Sequence, residues 1–426
     1  MSWGGKLHRR SFLRTGGRAL LAVAAASTQG GNIGSAQAAA IALDGIEERV
    51  ERVVEAYDAQ GNHRTATSVD NESAEWLAQQ IRQLGAEPAL EPFAITRIDP
   101  ISCHLRIAGR RIEGVPLYDA AFTGPEGVSG ALGPAADDSD IVLAETEPFT
   151  LTSPRRELGG ALAAARRGRH KGIIVLTRGS RPGLFLLNAP SFTSAFGPPG
   201  LQVSTAEEEW VKARMQEHAQ VKLVSHVRST STQAFNVTVR IAGSDPGLEP
   251  LVITTPRSGW WQCASERGGG LACWLESMRA LMAARPARDC LFAAFSGHEV
   301  GFLGIGAYLG SRPNLMKRAR TWIHIGANIG APRQQNQVHV SEASLERWLA
   351  AAFQNEGLGI DHLADSGSVP RGEAGTLHRG GARYVALVCG TEVFHNPADR
   401  WPDALDITTL ARYATALARG VAEIAG

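Results

Sequence analysis

Two adjacent ionisable residues, His298 and Glu299, follow an apolar segment at residues 290–295. The apolar segment predicts a buried strand, and Gly297 predicts a turn directly after it. An imidazole and a carboxylate at the end of a strand are suited to binding a metal ion or to transferring a proton. The same pair also occurs as a helix cap or an internal ion pair, so these residues alone leave both interpretations open.

The C-terminal part of the chain alternates predicted strands with predicted helices. Strand patterns lie at residues 236–243, 251–255, 290–295, 321–325 and 384–388. Helical patterns lie at residues 268–284, 301–310 and 407–424. This alternation predicts an α/β fold with a mostly parallel sheet covered by helices on both faces. A functional site in such a sheet lies at the carboxyl ends of the strands, where His298 and Glu299 fall.

Two different segments precede this part. Residues 43–84 have the spacing of two amphipathic helices, and Gly85 is placed to end the second one. Residues 103–231 contain short strand patterns, Gly/Pro turns and one basic helix at residues 158–170. We therefore predict a main domain formed by residues 39–102 and 232–426, and a small α/β insert at residues 103–231.

The composition excludes several classes of protein. Of the 426 residues, 44% are hydrophobic and 20% are charged, which excludes a disordered or collagen-like chain. The first 38 residues contain five of the 43 basic residues and none of the 42 acidic ones, so the remainder is weakly acidic. Such a body lacks the positive field that nucleic acid requires, and nucleic acid is not an expected partner. The five cysteines are widely spaced and predict no metal motif.

The N-terminus resembles a twin-arginine export signal. Arg9 and Arg10 precede an eight-residue apolar segment at residues 19–26, and the small-residue segment Ala36-Gln37-Ala38 follows. Eight apolar residues are too few to span a bilayer, which disfavours a membrane anchor. We expect residues 1–38 to be a removed signal peptide, leaving a periplasmic or secreted protein with no membrane anchor.

Several segments resemble the co-catalytic zinc aminopeptidase family, which includes aminopeptidase Y, glutamate carboxypeptidase and the glutaminyl cyclases. The segment SGHEVGFLG at residues 296–304 is similar to the family's strand-end motif Gly-Glu-Glu-x-Gly-Leu-Leu-Gly. The segment FHNPAD at residues 394–399 resembles its late Tyr-His-Thr-x-x-Asp element. Within the insert, GIIVLTRG at residues 172–179 and PPGLQVSTAEEEWV at residues 198–211 resemble a protease-associated domain. The resemblance implies a zinc-exopeptidase-like fold with an inserted protease-associated lid.

The resemblance also implies a metal site that this chain retains in part. The family holds two zinc ions with a His, a bridging Asp, a Glu, a second Asp and a final His. Glu266, Glu299 and His395 match the bridging Asp, the Glu and the final His, whereas residues 256–258 and Ala327 match the two missing ligands. Two carboxylates, one imidazole and a water complete a tetrahedral site. The resemblance therefore implies at most one zinc ion, held by Glu266, Glu299 and His395.

Two residues are candidates for proton transfer. His298 occupies the position of the family's catalytic Glu, and we expect it to act as a proton shuttle or as a fourth zinc ligand. Glu373 falls near the family's Ser-Asp-His loop beside the substrate cleft. The alternative for Glu373 is a loop acid paired with Arg371.

These residues leave two functions open. The first is an exported zinc-dependent, aminopeptidase-like hydrolase of a small peptide or N-terminal amide, in which zinc polarises the scissile carbonyl and His298 or Glu373 moves the proton. The second is a catalytically inactive relative that binds a peptide or small ligand in the retained cleft, because two ligands and the base carboxylate are lost together. The expected partner in both cases is a small peptide or an amino-acid-derived molecule.

Overall fold

The computed structural model describes residues 43–147, 160–333, 335–365 and 367–426. The predicted signal peptide at residues 1–38 lies outside the described residues, as do the first two residues of the predicted helix at 158–170. Within the described part of the chain, no helix is both long and apolar enough to cross a membrane.

The helices are labelled α1 to α10 and the strands β1 to β14 in chain order. The helices are Ile46–Asp58, Ser68–Gln83, Ala161–Arg167, Glu208–Gln216, Gly269–Ala284, Leu303–Gly310, Leu315–Arg318, Ala343–Asn355, Ala374–Arg379 and Ile407–Ala425. The strands are Pro88–Ile107, Arg110–Glu113, Val115–Pro116, Val128–Pro134, Ile141–Thr146, Gly172–Thr177, Gly200–Val203, Gln220–Ile241, Leu251–Pro256, Cys290–Phe295, Thr321–Ile325, Asn336–Val340, His362–Leu363 and Tyr384–Cys389. Gly85 follows α2 with a φ of 88°, the left-handed conformation expected of a C-terminal glycine.

The strands form a continuous sheet in the order β13-β12-β14-β11-β9-β10-β8-β4-β5-β6-β7-β3, with β1 and β2 attached through β8. Strands β9, β10, β11 and β14 run parallel. Strands β8 and β12 are antiparallel to their neighbours β10 and β14. The predicted α/β class is therefore confirmed, and the sheet is parallel at its centre and mixed as a whole.

Helices cover both faces of the central strands. Helices α1, α5 and α10 pack against one another on one face, where Ile253 of β9 and Trp274 of α5 share the largest core. Val252, the neighbour of Ile253, belongs to the core on the opposite face together with Trp322 and Leu377. Because successive strand residues are buried on opposite faces, β9 is apolar along most of its length.

Two long antiparallel strands, β1 and β8, connect the main part of the chain to the region of the predicted insert. The predicted insert boundaries, Cys103 and Ser231, fall inside these strands. Strands β4 to β7 share a separate core with the ends of β1 and β8, which includes Leu132, Ile174 and Leu201. The assignment of this region as a protease-associated domain remains a prediction.

His63 is buried in the loop between α1 and α2. Its ring stacks on Tyr57 with centroids 3.7 Å apart, and its Nε2 lies 3.0 Å from the Tyr57 carbonyl oxygen. Burial lowers the pKa of His63 to about 3, because a charged imidazole would lose its hydration there.

We expect the protein to lose stability as the pH falls from 6.5 towards 3. In that range the unfolded chain binds a proton at His63 that the folded chain does not. The contribution of His63 to the free energy of unfolding is therefore fully present above pH 6.5 and is lost as the pH falls. The cost is about 2 kcal/mol by pH 5 from this residue alone. Urea unfolding between pH 5 and 8 should show a shallower pH slope for His63→Gln than for wild type. An unchanged slope, matching that of the exposed control His218→Gln, would contradict this assignment.

Candidate functional site

The carboxyl ends of three parallel strands bring the candidate residues together. Ser258 follows β9, His298 and Glu299 follow β10, and His324 lies near the end of β11. Gly297 makes the turn after β10 with a φ of 82°, and a Cβ there would lie 3.1 Å from the Gly304 backbone nitrogen. Glycine is therefore favoured at this position, which directs the next two residues into the site.

A π-helical turn at Ala264–Gly268 carries Glu266 and leads directly into α5. Asp399 holds this turn, since its two carboxylate oxygens accept hydrogen bonds from the backbone amides of Ser265 and Glu266 at 2.7 and 2.9 Å. Burial raises the pKa of Asp399 to about 7, although both amides oppose that shift. The FHNPAD segment thus supplies both His395 and the residue that positions Glu266.

The carboxylate of Glu266 is paired with a buried guanidinium. Its Oε1 lies 2.6 Å from Arg267 Nη2 and 3.3 Å from His395 Nε2, and its Oε2 accepts from Cys263 Sγ at 3.4 Å. Arg267 is fully buried and also donates from Nε to the Ser258 carbonyl oxygen at 2.6 Å. Burial by itself would raise the pKa of Glu266, but the charge of Arg267, and then that of His395, lowers it to about 2. No role for Arg267 was predicted from the sequence, and its position directly after Glu266 is the one sequence signal that could have suggested it.

The carboxylate of Glu299 accepts three hydrogen bonds from the protein. Its Oε1 accepts from the backbone amide and the hydroxyl of Thr65 at 2.7 and 2.6 Å. Its Oε2 accepts from the hydroxyl of Ser258 at 2.7 Å. The Ser258 hydroxyl also accepts from the Gly297 amide at 2.8 Å, so the carboxylate belongs to a closed network that joins three segments. Neither Thr65 nor Ser258 was identified from the sequence as a partner of Glu299.

His298, Glu373 and His324 form a second buried group beside Glu266. Glu373 Oε1 lies 3.4 Å from His298 Nδ1, and its Oε2 lies 3.8 Å from His324 Nε2. Burial raises the pKa of Glu373 to about 7 and lowers that of His324 to about 4. Burial, and then the charge of Arg267, holds the pKa of His298 well below its ordinary value. Within the described structure, both Glu373 oxygens and His298 Nδ1 are buried without a hydrogen-bond partner.

His395 connects the site to the region of the predicted insert. Its Nδ1 donates to the Leu186 carbonyl oxygen at 2.7 Å, and the Leu186 amide donates back to the His395 carbonyl oxygen at 3.2 Å. The structure therefore gathers all five predicted site residues, Glu266, His298, Glu299, Glu373 and His395, into one largely buried region.

Solved structures with this architecture include peptidases. The chain superposes on a zinc aminopeptidase from Bacillus subtilis with a TM-score of 0.70 and 18% identity, covering 90% of this chain and 95% of that one. It superposes on a peptidase M28 precursor from Shewanella amazonensis with a TM-score of 0.73, 15% identity and coverages of 92% and 97%.

A third structure, an aminopeptidase from Aneurinibacillus sp. strain AM-1, gives a TM-score of 0.65, 16% identity and coverages of 88% and 93%. This chain has the zinc-aminopeptidase fold. No protein-family model matches the sequence, and no curated protein matches it. At these identities the similarity concerns the fold, and the chemistry has to be judged from the residues of this chain.

The arrangement of the three predicted ligands does not fit a zinc ion. Three of the lone-pair sites of the Glu299 carboxylate already accept hydrogen bonds. Glu266 Oε1 lies 2.6 Å from Arg267 Nη2, although Glu266 Oε1 and His395 Nε2 form no hydrogen bond within the described structure. A divalent cation at Glu266 would also lie beside a buried guanidinium whose charge is permanent. Among the described residues, no three His, Cys, Asp or Glu side chains are arranged to hold a metal ion.

Proposed function

We propose that this chain is an exported protein with the zinc-aminopeptidase fold that binds a peptide or small amino-acid-derived ligand at the strand ends and does not hydrolyse it through zinc. The observation that carries this proposal is the ion pair between Glu266 and Arg267, at 2.6 Å and fully enclosed by the protein. The guanidinium neutralises the carboxylate that would otherwise attract a metal ion. The folded chain can therefore keep the Glu266 carboxylate buried and ionised without a bound metal ion.

The residue at the position of the catalytic base supports the same conclusion. The family's carboxylate is replaced by His298, whose pKa is held well below its ordinary value by burial and by Arg267. A lowered pKa makes the imidazole a weaker base toward water near neutral pH. General-base catalysis by His298 is therefore unfavourable in this environment.

The unpartnered polar atoms support ligand binding. Buried polar groups in proteins almost always have a hydrogen-bond partner. Both oxygens of Glu373 and Nδ1 of His298 have none within the described structure, although they are enclosed at the strand ends. Ordered water or a polar group of a ligand would satisfy them, which makes this end of the sheet a suitable binding surface.

Metal analysis of the purified full chain tests this proposal. We expect well under one zinc per chain, and a melting temperature that neither a chelator nor added zinc changes by more than about 1 °C. Binding to the folded state would raise stability in proportion to the logarithm of the zinc concentration. One zinc per chain, lost on chelation together with hydrolysis of aminoacyl anilides, would contradict the proposal.

A single-zinc hydrolase is the second candidate function. It is favoured by the 3.3 Å distance between Glu266 Oε1 and His395 Nε2, two of the three predicted ligands. It requires a zinc ion to share Glu266 with Arg267 and to bind Glu299 at a lone-pair site that its bonds with Thr65 and Ser258 leave open. The metal analysis separates the two candidates, because only the hydrolase loses activity and stability when zinc is removed.

Export through the twin-arginine route is part of the proposal and has its own test. We expect the full chain, expressed in a bacterium with that route, to reach the periplasm or medium and to begin after Ala38. Replacing Arg9 and Arg10 by lysine together should retain the protein in the cytoplasm. Replacing Arg14 and Arg18, which lie outside the pair, is the matched control. Equal export of both variants would contradict this prediction.

A further inference from the structure

A segment from the region of the predicted insert covers the functional site. Residues 184–190, with the sequence LFLLNAP and here called the strap, contain neither helix nor strand. The strap reaches the site through its backbone: Leu186 exchanges two hydrogen bonds with His395, and the Ala189 amide donates to the Glu299 carbonyl oxygen at 2.8 Å. Both site residues were predicted as ligands of a metal ion, yet they also bind this chain's own backbone.

The strap side chains are buried in an apolar surface of the main part. Leu186 and Ala189 are 3% and 1% exposed and belong to one hydrophobic cluster with Trp260 and Val300. Asn188 accepts a hydrogen bond from Trp260 Nε1 at 3.2 Å. Leu186 and Ala189 thus contribute both backbone hydrogen bonds and buried side chains to the site, and these are the two kinds of contact by which an extended peptide binds to a receptor.

The strap also limits the space at the site. A cavity lined by Thr65, Tyr118, Trp260 and Val300 among others lies at the same hydrophobic cluster as Leu186 and Ala189, and its volume is about 10 Å³. Pockets that hold drug-sized ligands are generally about 300 to 1,000 Å³. A peptide therefore needs the strap to move before it can reach His395 and Glu299.

We infer that the strap is an intramolecular occupant of the binding cleft, and that the ligand which replaces it is an extended, apolar peptide segment. This inference rests on the proposed binding function and specifies its ligand class. The carbonyl oxygens of His395 and Glu299 accept backbone amides and require no free amino terminus. An internal peptide segment with leucine-like side chains meets the same acceptors and the same apolar surface as Leu186 and Ala189.

Competition with the strap determines the strength of ligand binding. A tethered segment acts at an effective concentration in the millimolar range, so a free peptide of the same sequence binds weakly while the strap is closed. Segments without regular secondary structure also open at low free-energy cost compared with the core. Loosening the strap should therefore increase the affinity for a free peptide and leave the global stability nearly unchanged.

The test uses a fluorescent heptapeptide with the sequence of residues 184–190, acetylated at its N-terminus and extended by two lysines for solubility. Fluorescence anisotropy measures its binding to the full chain. We expect Asn188→Ala, which removes the bond to Trp260, and Leu186→Asp, which places a charge in the apolar cluster, to bind the peptide at least tenfold more tightly than wild type. Glu209→Ala, an exposed change in the same region, is the matched control and should bind like wild type.

Hydrogen exchange supplies the second measurement. The Leu186 and Ala189 amides should exchange faster in the two strap variants, and adding the peptide should slow exchange at residues 258–262. Faster exchange without any increase in peptide affinity would overturn the inference, as would equal binding of a Gly/Ser heptapeptide carrying the same lysines. Zinc content is measured on the same samples, so a failure of the metal-free proposal is recognised separately from a failure of peptide binding.

Discussion

Replacing Arg267 by methionine is expected to lower the free energy of unfolding by about 3–5 kcal/mol. The change removes the guanidinium 2.6 Å from Glu266 Oε1 and leaves a buried carboxylate with only weaker contacts, to His395 Nε2 at 3.3 Å and Cys263 Sγ at 3.4 Å. Urea unfolding at pH 7.5 measures the loss. The matched control is Arg240→Met, whose partner Asp289 forms an ion pair at the surface, and we expect it to cost less than about 1 kcal/mol.

The double variant Glu266→Leu with Arg267→Met separates the stability cost of an unpaired charge from the cost of lost side-chain packing. Replacing a buried ion pair by apolar side chains of similar size is often neutral or stabilising, so the double variant should recover most of the lost stability. Recovery would assign the cost of the single change to the unpaired charge. The interpretation of Arg267 as the counter-ion of this site would be wrong if the single variant were as stable as Arg240→Met.

Glu299→Ala is expected to lower the free energy of unfolding by about 4 kcal/mol. Three buried donors, the Thr65 amide, the Thr65 hydroxyl and the Ser258 hydroxyl, would lose their shared acceptor. The loss should be the same with and without added zinc, because the carboxylate acts here as an acceptor of protein hydrogen bonds. Thermal and urea unfolding with matched zinc and chelator buffers measure both effects.

Glu145→Ala is the control for this change. Glu145 pairs with Arg178 at the surface, and its removal should cost less than about 1 kcal/mol. If added zinc stabilised wild type but not Glu299→Ala, Glu299 would be a metal ligand and the single-zinc candidate would be favoured instead. If Glu299→Ala and Glu145→Ala were equally stable, the hydrogen-bond network around Glu299 would contribute little to the free energy of unfolding.

The strand ends of this chain combine a zinc-aminopeptidase fold with an internal guanidinium at Glu266. The strand ends at which metal ligands were predicted are present here, together with the turn that Asp399 holds and the glycine at position 297. The cation in contact with Glu266 is a guanidinium supplied by the chain itself. Under the proposed function, the same backbone supports a charged and fully buried site without a metal ion, because Arg267 balances the carboxylate in the folded state.

The sequence alone determined the α/β class, the central strands and the strand-end position of His298 and Glu299, while the grouping of these two with Glu266, Glu373 and His395 was implied by a family resemblance. Periodicity and glycine positions act locally, and the carboxyl ends of parallel strands meet at one edge, so the fold class and the place of the site follow from residue order. Only the tertiary structure decided which groups form hydrogen bonds and ion pairs with the site residues. Thr65, Ser258 and Leu186 are distant in sequence from the carboxylates and the imidazole that they contact. Their partners depend on how loops from separate segments pack, and no local pattern specifies that packing.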